Sequence, residues 1–422
     1  MFDMIKQVFK PKNKDIQKRI LFTLACLFVF VIGKAIVVPG VDKYSLGVTQ
    51  LGFLELINIM GGGALEQFSI FALGVTPYIT ASIIIQILAM DIIPYLSELK
   101  KQGGTGRNQL NKITRITGIA LAFVQGYIYS FSYLGKGSAI LNIDYLQFAL
   151  VLTAGTCLLL WIGDQISAKG IGNGISLLIM AGIISSMPTM FQTAFTALTS
   201  DSSIMGTIFF IIFVLVYIAI IIGVVYMESA ERRISVQYAN KSNSSYGGRQ
   251  NYMPFKLNSA GVMPVIFAST LLSIPSFIAT VIKKEAFTNF VQDYLSTTTP
   301  VGFVLYIVLI FIFAYFYTFM QMKPSEMSDN LAKNGGFIPG VKPGEDTTNY
   351  ISNVLGRITI VGAVFLSVLA GLPIIFGLIS KLPSSVTLGG TGLLIVVGVA
   401  LETYKQLESQ LQSRSYRRRW KI

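Results

Sequence analysis

The 422-residue chain contains no histidine and only two cysteines. Without imidazole there is no His-ligated zinc or haem, no imidazole proton relay, and no Ser-His or Cys-His nucleophile. Cys26 and Cys157 both fall in apolar runs, where a thiol is expected to be buried and inert rather than part of a disulfide or metal site. Charge is scarce as well. Asp, Glu, Lys and Arg make up 13% of the residues, about half the share of a soluble domain. With 53% apolar residues and a mean hydropathy of +0.64, too few polar residues remain to coat a water-soluble particle of this size. A soluble enzyme, a nucleic-acid module, a disordered scaffold and a secreted disulfide domain are excluded. A polytopic helical membrane protein remains.

About 20 apolar residues are needed to cross a bilayer. Ten stretches qualify: 20–38, 75–93, 113–133, 147–166, 174–190, 207–227, 259–282, 301–322, 355–379 and 386–404. Before the second lies a half-hydrophobic stretch, 53–74, holding Glu55, Asn58, Gly61, Gly62, Gly63, Glu66 and Gln67. It is too polar for lipid and too apolar for an exposed loop. Irregular backbone at membrane depth is tolerated only inside protein or beside a water-filled cavity, so this stretch reads as a short re-entrant helix. The first span follows a long basic segment and is followed by Lys34 rather than a small-residue cleavage site. It reads as a retained span, not a signal peptide.

The charge balance of +13 has a membrane explanation. With the N-terminus in the cytoplasm and the spans alternating, 27 of the 33 basic residues fall on the cytoplasmic side and 6 on the other. Both termini are therefore expected in the cytoplasm. The chain divides into a cytoplasmic segment 1–19, a half 20–199 with five spans, a half 200–404 with five more, and a basic tail 405–422. An odd number of spans per half inverts one half relative to the other and places a pathway at their interface. Two long cytoplasmic loops stand out. In 228–258, Ile234, Val236 and Tyr238 alternate ahead of a Ser/Asn/Gly-rich turn, a hairpin signal. In 323–352 a short amphipathic helix gives way to two Pro-Gly turns.

Ionisable residues inside spans mark ion or proton coupling, and here they are scarce. Asp91, Glu98 and Asp164 sit at cytoplasmic ends, and Lys34 can snorkel at the outer end. Gln86 is the most notable polar residue in a span core. No metal site, cofactor site or catalytic constellation emerges, and with no GxxxxGK[ST] motif the chain binds neither ATP nor GTP through a P-loop. The composition fits a passive pathway driven by a partner docking on the basic loops. A small-solute secondary transporter is the alternative.

Six blocks then carry a resemblance to a known family: GGGALEQFSIFALGVTPYITASIIIQIL at 61–88, GDQISAKGIGNGISLLI at 163–179, ERRISVQYANK at 231–241, PFKLNSAGVMPVIFAS at 254–269, NGGFIPGVKPGEDTTNYI at 334–351 and LGGTGLLIVVGVALE at 388–402. In order and spacing they resemble the SecY family, the central subunits of protein-conducting channels, related to the alpha subunit of the ER translocon. The resemblance runs from about residue 16 to residue 411. It implies an all-α fold of ten transmembrane helices in two inverted five-helix halves around a central pore in the bacterial cytoplasmic membrane. The implied task is to pass unfolded secretory proteins across the membrane and to release transmembrane segments sideways into it. An accessory paralogue serving specialised substrates is the variant reading, prompted by Lys342, where the family usually has Arg, and by the strongly basic tail.

The resemblance also implies roles. A pore ring falls on Val75, Ile79, Ile175, Ile179, Ile266 and Ile395, and both i, i+4 pairs lie on single helix faces. The stretch 53–74 becomes a plug, with Gly61, Gly62 and Gly63 lowering its helical stability, and few apolar contacts are expected to hold roughly 57–67. Gln86 and Asn258 match polar positions at a lateral gate. Arg232, Arg233, Lys241, Arg249 and Lys342 match docking loops for the SecA motor and the ribosome. SecE, with SecG as a third subunit, signal sequences, unfolded polypeptides and anionic lipids complete the implied partners.

Overall fold

A computed structural model describes residues 13–39, 58–90, 92–134, 143–199, 204–238, 251–282, 284–297, 299–380 and 384–419. Each of the ten apolar stretches falls on a helix: α1 (Lys14–Lys34), α2 (Thr76–Leu88), α4 (Gly104–Leu134), α5 (Ile143–Lys169), α6 (Gly174–Thr199), α7 (Ile204–Ser229), α8 (Met263–Ile282), α10 (Pro300–Gln321), α12 (Glu345–Ser380) and α13 (Ser384–Arg419). Among the described residues, six helices are long and apolar enough to cross a membrane by length and composition. Between the long helices lie α3 (Pro94–Lys101), α9 (Glu285–Phe290), which continues into a π-helical turn, and α11 (Pro324–Lys333).

Local chemistry explains the boundaries. Helix α10 begins at Pro300, whose missing N–H would have been unpaired in any case, and the Thr299 hydroxyl caps it by accepting from the Gly302 N–H at 3.3 Å. Gly103, at φ +74°, lets the chain reverse between α3 and α4. Several helices outrun their apolar stretches, α4, α12 and α13 among them. Helix α4 starts at 104 rather than 113, α12 at 345 rather than 355, and α13 continues through the basic tail to 419. Hydropathy detects only the lipid-facing part of a helix, whereas backbone hydrogen bonding continues into water. Large apolar side chains such as Ile211, Leu215 and Ile222 on α7 face outward, as lipid rather than water requires.

The packing repeats itself. Helix α2 packs on α4, α4 on α5, and α5 on α6, while α1 lies against α5 and α6. In the second set α8 packs on α10, α10 on α12, and α12 on α13, while α7 lies against α12 and α13. The neighbours of the first five long helices are thus reproduced by the last five in the same order. The two sets meet along α6, which packs on both α7 and α13, and at a sparser seam between α4 and α8. The extension of α13 bridges them again: Leu407 and Leu411 pack with Ile16, Ile20 and Ile171, and the Lys405 ammonium donates to the Glu228 carbonyl at 2.7 Å.

The two long loops form one body. The strands β1 (Glu231–Tyr238) and β2 (Asn251–Lys256) form the expected antiparallel hairpin, with Arg232 opposite Phe255 and Ile234 opposite Met253. Strand β3 (Gly336–Phe337), from the second loop, adds to the other edge of β1 and gives the order β2-β1-β3. Ile234, Val236, Phe255, Leu331, Ile338, Ile351 and Leu355 form a core beneath this sheet. Phe255 is fully buried there. Phe255→Ala should remove about 3–5 kcal/mol from this core. The expected outcome is markedly faster tryptic cleavage after Arg232 and Lys333 in the detergent-solubilised protein, with the helical content unchanged by circular dichroism.

Candidate functional site

The six aliphatic ring candidates all belong to the main apolar core, which runs through both sets of helices. Val75, Ile179, Ile266 and Ile395 are buried in it, and the half-buried Ile79 and Ile175 pack against it. They come from the start of α2, from α6, from α8 and from α13, so both sets of five helices contribute. Val75 precedes α2 as its N-terminal cap residue rather than sitting within the helix. No fixed charge comes from these six positions.

Beside the cluster lies the segment 58–75. It is helical only at 58–60 and continues through turns, so the expected re-entrant helix is reduced to a remnant within the described residues. The glycines explain part of this. Gly62 and Gly63 hold φ of +74° and +83°, values that side-chain-bearing residues rarely adopt. The expectation that few apolar contacts hold roughly 57–67 is met only in part, since Ile59, Ala64 and Leu65 are buried there, and the residues that follow are held firmly. Ala64, Leu65, Phe68, Phe71, Ala72 and Leu73 are all buried, four of them beside Val38, Ala122, Tyr129 and Leu152 in a second core. Residues 36–38 also pair with 68–70, through Val38 N–H to the Phe68 carbonyl at 3.0 Å and Ile70 N–H to the Ile36 carbonyl at 3.0 Å.

Two helix glycines form the seat. A Cβ at Gly182 of α6 would lie 2.2 Å from the Met60 carbonyl oxygen, and one at Gly155 of α5 would lie 2.0 Å from the Ile70 carbonyl oxygen. Only a bare helix surface admits such close backbone approach. Polar groups complete the fit. The Ser186 hydroxyl donates to the Ile183 carbonyl of its own helix at 2.9 Å and lies 3.4 Å from the Ile59 carbonyl, the Lys34 ammonium donates to the Gly62 carbonyl at 3.0 Å, and Lys34 also donates to the Ser185 hydroxyl. Asn58 closes the loop, accepting from the Glu66 N–H at 3.0 Å and donating to the Glu66 carboxylate at 3.2 Å. Lys34 is therefore engaged by protein rather than simply snorkelling. Gly155, Gly182, Ser185 and Ser186 were missed by the sequence reading. Small residues in apolar spans were visible as a signal, but not the backbone they face.

The polar gate candidates bond within their own sets. Gln86 donates to Ser82 one turn earlier on α2 at 2.8 Å, while its carbonyl oxygen is buried without a protein partner. Asn258 donates to the Glu228 carboxylate at 2.9 Å, tying the start of the α8 region to the end of α7. Of the docking candidates, Arg232 and Arg233 are exposed on β1, with Arg233 paired to Glu231 at 2.7 Å and lying over the Tyr252 ring at 4.7 Å. Lys342 is exposed in the turn between β3 and α12, where its carbonyl accepts from the Thr347 hydroxyl at 2.8 Å. The shared sheet brings both loops onto one platform. Lys241 and Arg249 lie outside the described residues.

A multi-helix membrane bundle with an irregular segment seated inside it beside an aliphatic cluster is a channel-like architecture. The SecY family model matches residues 69–404. The protein translocase subunit SecY of Bacillus subtilis (strain 168) is 47% identical, with 96% of each chain covered. That of Staphylococcus aureus is 44% identical, with 96% of this chain and 97% of the relative covered. Among solved structures, a protein-conducting channel superposes with a TM-score of 0.65 at 18% identity, covering 93% of this chain and 92% of that one. Sec61 from a canine ribosome–channel complex of the endoplasmic reticulum gives 0.61 at 18% identity, with the same coverage. The chain belongs to the SecY family.

The seat geometry sets a prediction. Overpacking at a rigid contact costs about 1–3 kcal/mol, so Gly182→Val should raise the population of the unseated segment by about 5- to 150-fold. In a Cys26→Ser, Cys157→Ser background, a cysteine at position 186 should then react correspondingly faster with a water-soluble thiol reagent. An unchanged rate would mean that the segment tolerates the added side chain in place.

Proposed function

We propose that this chain is the pore-forming subunit of a bacterial protein translocase, set in the cytoplasmic membrane with both termini in the cytoplasm. Membership of the SecY family and the channel fold support the general reading, a translocase role that is non-catalytic in itself. The observation that carries the finer reading is the segment seated on glycines beside a main core to which both helix sets contribute the six aliphatic residues.

Physical chemistry gives each part a task. A charge at the bilayer centre costs about 2.5–3.5 kcal/mol on insertion scales, and unpaired backbone groups cost several more. A secretory chain carries many of both, so it needs a wet path with one narrow constriction. A ring of Val75, Ile79, Ile175, Ile179, Ile266 and Ile395 offers a moving peptide no hydrogen bond or fixed charge to stick to. When empty, such an apolar constriction dewets and blocks ions. The segment 58–74 acts as the plug. The sparse α4–α8 seam, flanked by α2 and α10, is the lateral gate through which a hydrophobic segment reaches lipid. About ten Leu-like residues favour that transfer by roughly 3–6 kcal/mol. Gln86 and Asn258 line its approaches.

The platform carrying Arg232, Arg233 and Lys342 is the docking face for the SecA motor and the ribosome, and the energy for transport enters there. Lys241 and Arg249 add to its charge. Acidic protein surface, RNA and anionic lipid are all drawn to such a face. SecE clamps the two halves, and SecG is the third subunit. No cofactor is required for this work.

Two measurements test the reading. Ile79→Ser combined with Ile266→Ser should hydrate the constriction, raising single-channel current through the resting complex in a planar bilayer and relaxing the signal-sequence requirement of an export reporter. If the double variant stays as ion-tight and selective as the parent, these residues are ordinary core. Arg232→Glu or Lys342→Glu should slow export severalfold per copy while leaving the protein abundant in the membrane, and Lys342→Arg should be tolerated. Loss of the protein with normal export per remaining copy would assign the loops a structural role instead.

A further inference from the structure

We infer that Lys34 is the latch of the resting channel: its ammonium holds the plug by the Gly62 carbonyl and anchors it to Ser185 on α6. This rests on the reading of 58–74 as a plug and adds the residue that positions it. The geometry is specific. Asn58 and Glu66 clasp the ends of a small loop through the bonds at 3.0 and 3.2 Å, and Gly62 lies midway between them in the chain. At its φ of +74° Gly62 donates its own N–H back to the Ile59 carbonyl at 3.1 Å. Its carbonyl instead accepts from Lys34, 28 residues earlier and on another element.

The same ammonium donates to Ser185, one turn from Gly182, where α6 meets the Met60 carbonyl. One side chain thus joins α1, the apex of the plug loop and α6. Gly33, the residue before it, is buried with its Cα face against the Phe71 ring, so the end of α1 is held against the segment by packing as well.

A cation suits a latch that must also release. A charge-assisted hydrogen bond to a carbonyl is stronger than a neutral one. When the plug leaves, the flexible stem lets the ammonium rise to water at the outer membrane boundary. No buried, unpaired charge is left behind to oppose opening. A carboxylate partner inside the bundle would hold more firmly and would release at a greater cost.

The test uses the purified channel complex with Cys26 and Cys157 replaced by Ser and a single cysteine at position 186, which lies against the seated segment. The rate at which that cysteine reacts with a water-soluble thiol reagent reports unseating of the plug, and resting single-channel current reports sealing. Lys34→Met keeps the apolar stem and removes the donor. It should speed the reaction and raise the resting open frequency by about tenfold each, with Lys34→Arg restoring most of both. An unchanged reaction rate in Lys34→Met overturns the latch. Faster reaction without added current supports the latch and overturns the sealing role of the segment.

Discussion

Backbone that is neither helix nor strand has to be satisfied wherever it enters a membrane protein, and the segment 58–75 is where this chain meets that demand. Hydrocarbon offers no hydrogen bonds, so each exposed amide or carbonyl there costs several kcal/mol. The solution is to press the segment directly onto helix surfaces cleared of side chains at Gly155 and Gly182. The Gly62 carbonyl is met by Lys34, the Ile59 carbonyl by the Gly62 N–H, and the turns bond among themselves. Position and tightness of the segment both follow from this backbone-to-backbone fit. A bulky residue at either glycine would push the segment outward and change the aliphatic cluster it adjoins.

The same logic gives the segment two mechanical zones. From 64 to 73 it is anchored by fully buried side chains such as Ala64, Leu65 and Phe68. From 58 to 63 the glycines and polar contacts contribute more of the hold, beside the buried Ile59 and the half-buried Met60. Phe68, at φ +45°, is the non-glycine residue with positive φ among those described, and it falls in the anchored zone. Burial and the pairing of 36–38 with 68–70 offset the strain of that conformation.

On the cytoplasmic side the controlling feature is that β1 has two partners. Because β2 and β3 flank it, the loops before and after α8–α10 share a sheet and a core instead of moving independently. Lys342 and Arg232 thus stand on one packed body that also includes Ile351 and Leu355 of the long α12. The extension of α13 makes a second bridge, packing on Ile16 and Ile171 while Lys405 caps the end of α7. Both bridges tie the ends of helices whose middles line the proposed path.

The sequence by itself determined the class of the protein. Composition required a membrane bundle, ten apolar stretches landed on helices, the alternation of Ile234 and Val236 identified the hairpin, and six motif blocks identified the family. Those signals are local: they depend on the hydropathy, period or residue type of a short stretch. Helix ends at 104, 345 and 419 were not legible, because a helix continues by backbone bonding after its apolar signal stops. The joining of the two loops through β3 was not legible either, since Gly336 and Phe337 carry no strand pattern of their own. The seat of the segment 58–75 was decided by tertiary structure alone. Gly155, Gly182 and Lys34 are ordinary residues in their own helices, and their meaning depends on which backbone is brought within about 3 Å of them, a relation between distant parts of the chain that no local pattern encodes.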